Sequence, residues 1–318
     1  MMFGSNTLGN GWVVPADDAA ITAAAQLLHA GEIVAIPTET VYGLAADAQN
    51  AEAVAHIYAA KGRPDFNPLI VHVRDRKAAE KLGLFNATAQ ALAEAFWPGP
   101  LTLVLPLKQG APVARAVTAG LPTIAIRCPN HPVMQALLLK SDLSLAAPSA
   151  NRSGAISPTR ADHVLKGLGG AVPMILDGGP CSAGLESTIV AVRDDGWQIL
   201  RPGPVTSKEI EQTLGYPPFA LPTASIEAPG QMASHYAPSK PVRLNVTVSE
   251  KGEYLIGFGA IAGDDNLSAT GDLAQAAAHL FEALHNADAS LASAIAVAPI
   301  PHEGIGIAIN DRLSRAAA

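Results

Sequence analysis

The stretch from Ala35 to Val73 reads AIPTETVYGLAADAQNAEAVAHIYAAKGRPDFNPLIVHV, and its reading decides the fold. An apolar run from Ile33 to Ile36 stops at Pro37, and the polar loop Thr38-Glu39-Thr40 follows at once. Val54, Ile57 and Tyr58 then recur at helical spacing up to Lys61 and Gly62. Arg63, Pro64, Asn67 and Pro68 make a second loop, and a new apolar run, Leu69 to Val73, carries His72. The expected order is strand, loop, helix, loop, strand, with Thr, Lys, Arg, Asn and His gathered at the breaks. In parallel α/β sheets ligands bind where strands hand over to loops, so these side chains mark a candidate site.

Outward from this stretch the same alternation continues. Residues 1–15 read as a loose arm. Asp17 or Asp18 caps a helix with Ile21, Ala24, Ala25 and Leu28 on its apolar face, and Gly31 ends it. Asn86 can cap a helix carrying Leu92, Ala95 and Phe96, broken by Pro98-Gly99-Pro100. LTLVLPL (101–107) and TIAIR (123–127) read as strands, 131–140 as a helix, and LSLAAP (143–148) as a strand leading into Ser149-Ala150-Asn151. Thr159 can cap a short helix to Leu168, and MILDGG (174–179) is strand and turn. STIVAV (187–192) and WQILR (197–201) make a hairpin about Asp194-Asp195-Gly196, and Thr206 with Glu209 forms a capping box.

Prolines crowd residues 216–241, the composition of a stiff interdomain linker, with His235-Tyr236 in its midst. Beyond it VRLNV, EYLIGFG and SAIAVAPI read as strands, 272–286 as a long helix and 305–318 as another, a small doubly wound domain. The expected division is 1–215, a linker and lid 216–241 and a domain 242–318.

Composition narrows the function classes. With 49% hydrophobic and 15% charged residues the chain is core-rich and folded, not disordered. No apolar run reaches the roughly 18 residues of a membrane helix, and no secretory signal is visible, so a cytoplasmic protein without membrane partners is expected. Cys128 and Cys181 stand alone, which suits a reducing compartment and no zinc pattern. A net charge of −7 argues against a broad nucleic-acid surface.

P-loop, H-E-x-x-H and G-x-S-x-G motifs are absent, and Gly257-Phe258-Gly259 lacks the third glycine and acidic partner of a dinucleotide fingerprint. Nothing suggests a covalent nucleophile. Lys61 and Arg63 either oppose a helix dipole or, with Asn67, suit a triphosphate. His72 alternates with Leu69, Val71 and Val73 and faces the other way, as a structural histidine or a ligand. Arg127 at the end of its strand can hold a carboxylate through two parallel hydrogen bonds. Ser149 and Asn151 fit a turn, and the same small residues leave N–H groups free for phosphate.

PTETVYGLAADA followed by AAKGRPDFNPLIVHV resembles the signature of the YrdC-like family, the threonylcarbamoyl-AMP synthases. The likeness continues in LAAPSANRSGAISPT, LESTIV, ILRPG and PGQMASHYAP, over about residues 15–241 and more weakly the tail. It implies a large YrdC-like twisted mixed α/β sheet with helices and a small C-terminal Rossmann-like α/β domain. It implies an enzyme making an adenylate from L-threonine, bicarbonate and ATP, with Mg²⁺ accompanying ATP and pyrophosphate released, for threonylcarbamoyl modification of tRNA. By the same resemblance Thr40, His72, Arg127, Ala147 and Ser187 bind threonine. Arg63, Asn67, Thr123, Ser149, Ser157, Arg201 and Tyr236 bind ATP, and Lys61 with Arg63 forms the catalytic pair, Thr38 standing beside them. tRNA or a downstream transferase are further candidate partners. The chain departs from the family pattern at Ala45, where glycine is usual, and at Gln231-Met232-Ala233-Ser234, where Met-Lys-Tyr-Arg is common. Two other classes remain: a carbamoyl-adenylate-forming carbamoyltransferase, disfavoured by the lack of zinc-finger cysteines, and a non-catalytic RNA-binding module, disfavoured by the acidic balance.

Overall fold

The computed structural model of the chain describes residues 12–62, 67–194, 196–219 and 235–318. Ten strands build one large mixed sheet: β1 (Trp12–Pro15), β2 (Val34–Ile36), β3 (Gly43–Asp47), β4 (Ile70–His72), β5 (Leu101–Pro106), β6 (Thr123–Arg127), β7 (Leu145–Ala146), β8 (Met174–Asp177), β9 (Thr188–Arg193) and β10 (Gly196–Arg201). They lie in the order β1-β8-β2-β3-β7-β4-β6-β5-β9-β10. Helices α1 (Asp18–His29), α2 (Ala51–Lys61), α3 (Arg76–Ala79), α4 (Ala87–Phe96), α5 (Pro132–Ser141), α6 (Ala161–Leu168) and α7 (Ser207–Leu214) connect them.

The helix starts follow from local chemistry. The side chains of Asp17, Asn50 and Asn86 accept backbone N–H groups at the starts of α1, α2 and α4, and Thr206 with Glu209 closes the expected capping box on α7. At α6 the expectation differs from the structure. Arg160 is the cap residue and makes no capping bond, while the Thr159 hydroxyl lies 3.5 Å from Nδ1 of His163.

Two other expectations are corrected. The segment read as a loose arm ends in a strand, since Trp12–Pro15 pairs in parallel with β8. The strand–loop–helix–loop–strand reading lacked β3, which turns back antiparallel to β2. Its Gly-Leu-Ala-Ala-Asp sequence has no β-branched residue, so strand propensity gives no signal there.

The two faces of the sheet are covered unequally, and this creates the site. On one face Leu69, Val71, Leu103, Ile126 and Val190 pack with Val54 and Ile57 of α2, Leu92 of α4 and Ile210 of α7. On the other face α1 and α5 cover only one end, through Leu28 and Leu137 against Ile36 and Leu176. Beyond that end the sheet shows a floor built from strand residues alone: Ile70, Val104, Ala125, Ile189, Ala191 and Leu200.

After α7 ends at Leu214, the next sheet begins at Val242. It holds β11 (Val242–Arg243), β12 (Glu253–Gly257), β13 (Asp265–Asn266) and β14 (Ala294–Val297) in the order β11-β14-β12-β13, all parallel. Helices α8 (Leu273–Ala289) and α9 (Gly306–Ala316) pack on it through Leu280, Phe281, Leu284, Ile309 and Leu313. The same cluster takes in Val41, Ile156 and Leu185 of the large unit. At the seam a Cβ on Gly184 would stand 2.4 Å from the Ala278 backbone, and its φ of +67° is left-handed. Glycine there lets the loop lie directly on α8.

Candidate functional site

One pocket at the open end of the sheet gathers side chains that are far apart in sequence. Thr38, Thr40, His72, Arg127, Ala147, Ser149, Glu186, Ser187, Arg201, His235 and Tyr236 are among its lining residues. It encloses about 530 Å³ of empty space, its solvent-open mouth included.

Its deep end is built by adjacent strands. His72 closes β4 and pairs in register with Arg127, which closes β6. Alternation along β4 puts Leu69, Val71 and Val73 in the core and turns Ile70 and His72 to the pocket. Nη1 of Arg127 donates to Oγ1 of Thr40 at 2.7 Å, and Nε donates to the Gly99 carbonyl at 3.2 Å. Nη2 lies 2.6 Å from Oε1 of Glu39, a close charge contact made off the hydrogen-bond angle. Both partners are buried. Burial pushes the Glu39 carboxyl up, but the Arg127 charge, added to hydrogen-bonding contributions from the Asn130 backbone, Arg127 and its own backbone, brings Glu39 below the usual carboxylate range. Burial, aided by Arg127, pushes His72 down to about 3, so its imidazole is neutral at physiological pH. Its Nδ1 has no hydrogen-bond partner among the described residues.

The loop Thr38–Val41 is locked from within. The Thr38 hydroxyl donates to the Val41 carbonyl at 2.6 Å and accepts from the N–H groups of Thr40 and Val41. Proline at 37 and a Thr two residues before another Thr make such a side-chain-stapled turn.

The opposite wall comes from the start of β9 and the end of β10. Ser187 Oγ meets Thr102 Oγ1 at 2.7 Å, and Arg201 Nη2 donates to the Ser187 carbonyl at 2.9 Å. A Cβ on Gly203 would stand 2.4 Å from the Thr188 nitrogen, so the Arg-Pro-Gly turn after β10 requires glycine to pass behind Ser187. Glu186 is buried next to it. Ser157 Oγ donates to Glu186 Oε1 at 2.5 Å, and Arg312 Nε donates to Oε2 at 2.9 Å. Burial raises the Glu186 carboxyl, and the charges of Arg312 and Arg201 bring it below its ordinary value.

Of the residues expected from sequence, Thr40, His72, Arg127, Ala147, Ser149, Ser187, Arg201 and Tyr236 line this pocket. Ser157 stands behind it on Glu186. Lys61 does not line it: the Lys61 ammonium bonds to the carbonyls of Ser149 and Asn151 and so braces the turn beneath Ser149. Asn67 is buried, with its Oδ1 unpartnered among the described residues. Thr123 sits at the far end of β6 from Arg127, about 13 Å along the strand, on the same face as Ala125 and Arg127. The apolar floor joins these two ends. Arg63 lies outside the described residues.

Sequence reasoning missed Glu39, Glu186, Thr102 and Arg312. The first two were within reach, since each acid adjoins hydroxyl residues of a pocket loop, Thr38-Glu39-Thr40 and Glu186-Ser187. Among the described residues no group of His, Cys, Asp and Glu could hold a metal ion, and no helix is long and apolar enough to cross a membrane.

Two family models match the chain. One, described as telomere recombination, covers residues 26–203, and the other, described as the threonylcarbamoyl-AMP synthase C-terminal domain, covers 205–318. The threonylcarbamoyl-AMP synthase of Bacillus subtilis is 42% identical over 95% of this chain and 94% of its own length. The chain belongs to the threonylcarbamoyl-AMP synthases. It is an enzyme of the nucleotidyl-transferring type. The Pyrococcus abyssi threonylcarbamoyl-AMP synthase is 37% identical over 93% of both chains. Among solved structures, P. abyssi Sua5 complexed with L-threonine matches with a TM-score of 0.87 at 34% identity, covering 98% of both chains. A P. abyssi Sua5 variant with a His-Tyr pair changed to alanines matches with a TM-score of 0.88 at 34% identity over 96% of both chains. Such likeness along the whole length extends the family fold to both sheets of this synthase.

Proposed function

We propose that the pocket condenses L-threonine, bicarbonate and ATP into threonylcarbamoyl-adenylate, pyrophosphate and water. One observation carries this reading. A buried arginine, a neutral histidine and two threonine hydroxyls lie together at one end of an apolar floor, and backbone turns suited to phosphate lie along its edge. The P. abyssi protein with the same fold was solved with L-threonine, which fits that deep end.

The Arg127 guanidinium binds the threonine carboxylate, exchanging part of its Glu39 contact for it. His72, held neutral, accepts a hydrogen bond through its free nitrogen, and a group so acidic as imidazolium serves as an orienting partner rather than a base. Thr40 and Ser187 hydroxyls fix the remaining polar atoms of the amino acid. The threonine nitrogen attacks the carbon of bicarbonate-derived CO₂ and loses a proton, giving a carbamate. A carbamate oxygen then attacks the α-phosphorus, the bond to the β-phosphate oxygen breaks, and pyrophosphate leaves.

Neither step requires a protein nucleophile, so catalysis is proximity and charge stabilisation. Mg²⁺ bound to ATP would neutralise part of the triphosphate charge alongside Arg63. Arg63 clamps the phosphates, Lys61 holds the Ser149–Asn151 turn that faces them, and Asn67 and Thr123 line the path of the nucleotide. The mixed anhydride hydrolyses readily, so the Tyr236 strap over the pocket serves to exclude water. Tyr236 and Ser157 contact the nucleotide side. We place the protein in the cytoplasm, where the free buried thiols of Cys128 and Cys181 stay reduced and tRNA is the final acceptor. The division at 216–241 separates the catalytic unit from the C-terminal unit.

The test is pyrophosphate release with each substrate withheld in turn. Release should require L-threonine and bicarbonate together. Equal release without threonine would overturn the assignment.

A further inference from the structure

The C-terminal unit reaches a buried carboxylate in the wall of the pocket through an arginine. Arg312 of α9 is fully buried, and its Nε donates to Oε2 of Glu186, whose other oxygen accepts from the Ser157 hydroxyl. Arg312 Nη1 is fastened to Asp311 Oδ2 at 2.7 Å, and Arg315 Nε holds the second oxygen of Asp311 at 3.1 Å. The Arg312 guanidinium carbon stands 5.3 Å from the centre of the Tyr236 ring, which leans on Phe281 of α8 at 5.6 Å.

The strap is therefore gripped from both units. His235 N–H donates to the Arg315 carbonyl at 3.2 Å, while Ala237 N–H donates to the Gly154 carbonyl at 2.8 Å. Tyr236 between them takes a φ of +64°, a left-handed conformation that a non-glycine residue keeps only where its surroundings impose it. Ser157 is gripped as well, since its carbonyl lies 3.1 Å from Nε2 of His285 on α8.

A buried ion pair is a poor way to glue two units, because apolar side chains of like volume hold as well or better. What the Arg312–Glu186 pair adds is direction. It sets the carboxylate that orients Ser157 and the face against which Tyr236 lies. The Tyr236 hydroxyl has no partner among the described residues, and Tyr236 lines the pocket, so this wall presents an unused donor to whatever fills it.

We propose that Arg312 is a positioning residue for the nucleotide side of the pocket. Through Glu186 it sets the Ser157 hydroxyl, and through its guanidinium face it sets Tyr236. The C-terminal unit is then a structural part of the active site rather than an appended module. This rests on the assignment of that side to ATP.

The experiment uses the full chain and measures KM for ATP and for threonine separately. Arg312→Met should raise KM for ATP about tenfold or more while KM for threonine stays within about twofold. Arg312→Lys, which keeps the charge but loses the planar fork, should recover part of the loss. If Arg312→Met fails to fold, Arg312→Lys carries the same comparison with a smaller split. Melting that falls while both KM values stay put, or rise together, would reduce Arg312 to an interface residue and overturn the proposal. Equilibrium ATP binding separates this from the functional reading. A parent protein that binds ATP but makes no threonine-dependent pyrophosphate refutes the reaction, and the effect of Arg312→Met on ATP affinity then decides the role of Arg312 by itself. A parent that binds no ATP overturns both.

Discussion

The two ends of the pocket are held by different means. The end around Thr40, His72 and Arg127 is made by neighbouring strands of one sheet and a loop stapled by its own threonines. The end around Ser157, Glu186 and Tyr236 is made by two segments of the large unit and one from the linker, and is locked by Arg312 of the C-terminal unit. Register fixes the first, because β4 and β6 cannot slide without turning His72 and Arg127 out of the site. Docking of α8 and α9 fixes the second. The first end should therefore respond to substitution as a preorganised site does, with stability and activity lost together. The second should lose nucleotide affinity first.

The largest effect is expected at Arg127. Arg127→Met removes the carboxylate partner and strands Glu39, a buried acid, so activity should fall roughly a thousandfold and stability by about 3–5 kcal/mol. Denaturant melts beside progress curves check it, and adding Glu39→Gln should return stability without activity. Stability left intact in the single variant would break the contrast between the two ends. Next comes Arg63→Ala, with activity falling roughly a hundredfold and the melting temperature barely moving, because a phosphate clamp works only on bound nucleotide. A collapsed fold would make Arg63 a helix-end cation instead.

His72 gives a subtler effect that depends on pH. Its folded value of about 3 lies below the ordinary 6.5, so between these the unfolded chain binds the extra proton. Stability therefore rises with pH across that window, is fully present above about 6.5 and is lost as pH falls. His163 titrates in the same window, also near 3 and chiefly through burial, so His72→Gln should flatten only part of the acid limb between pH 7 and 5. Melts at closely spaced pH values read it, and an unchanged limb would mean that His72 does not stay neutral. The smallest effect on the reaction is expected at Arg243, which holds Glu253 through two hydrogen bonds at 2.8 and 2.7 Å in the small sheet, away from the pocket lining. Arg243→Gln should lower melting by a few degrees at most and alter neither KM.

Most of the large sheet is legible because its inner strands are apolar runs bounded by proline, glycine and polar turns. The exceptions have local causes. β3 lacks any β-branched residue, β7 is two residues long within the six-residue segment 143–148 read as a strand, and Trp12–Pro15 is an edge strand without alternation. In the site, polar residues at strand ends announce themselves, as His72 and Arg127 do. Lys61 shows the limit, since a cation near a phosphate loop and a cation bracing that loop have the same sequence.

By itself the sequence determined the two α/β units, the family and the residue types of the deep end, because apolar periodicity and motif spacing are local properties. Only the tertiary structure decided that Glu39 faces Arg127 and that Glu186 receives Arg312 from a helix 126 residues away. It also decided that Tyr236 is pinned between the units. The physical reason is that burial and pairing of charge depend on what the rest of the chain places around a residue. A glutamate beside a serine reads the same whether water or a distant arginine satisfies it.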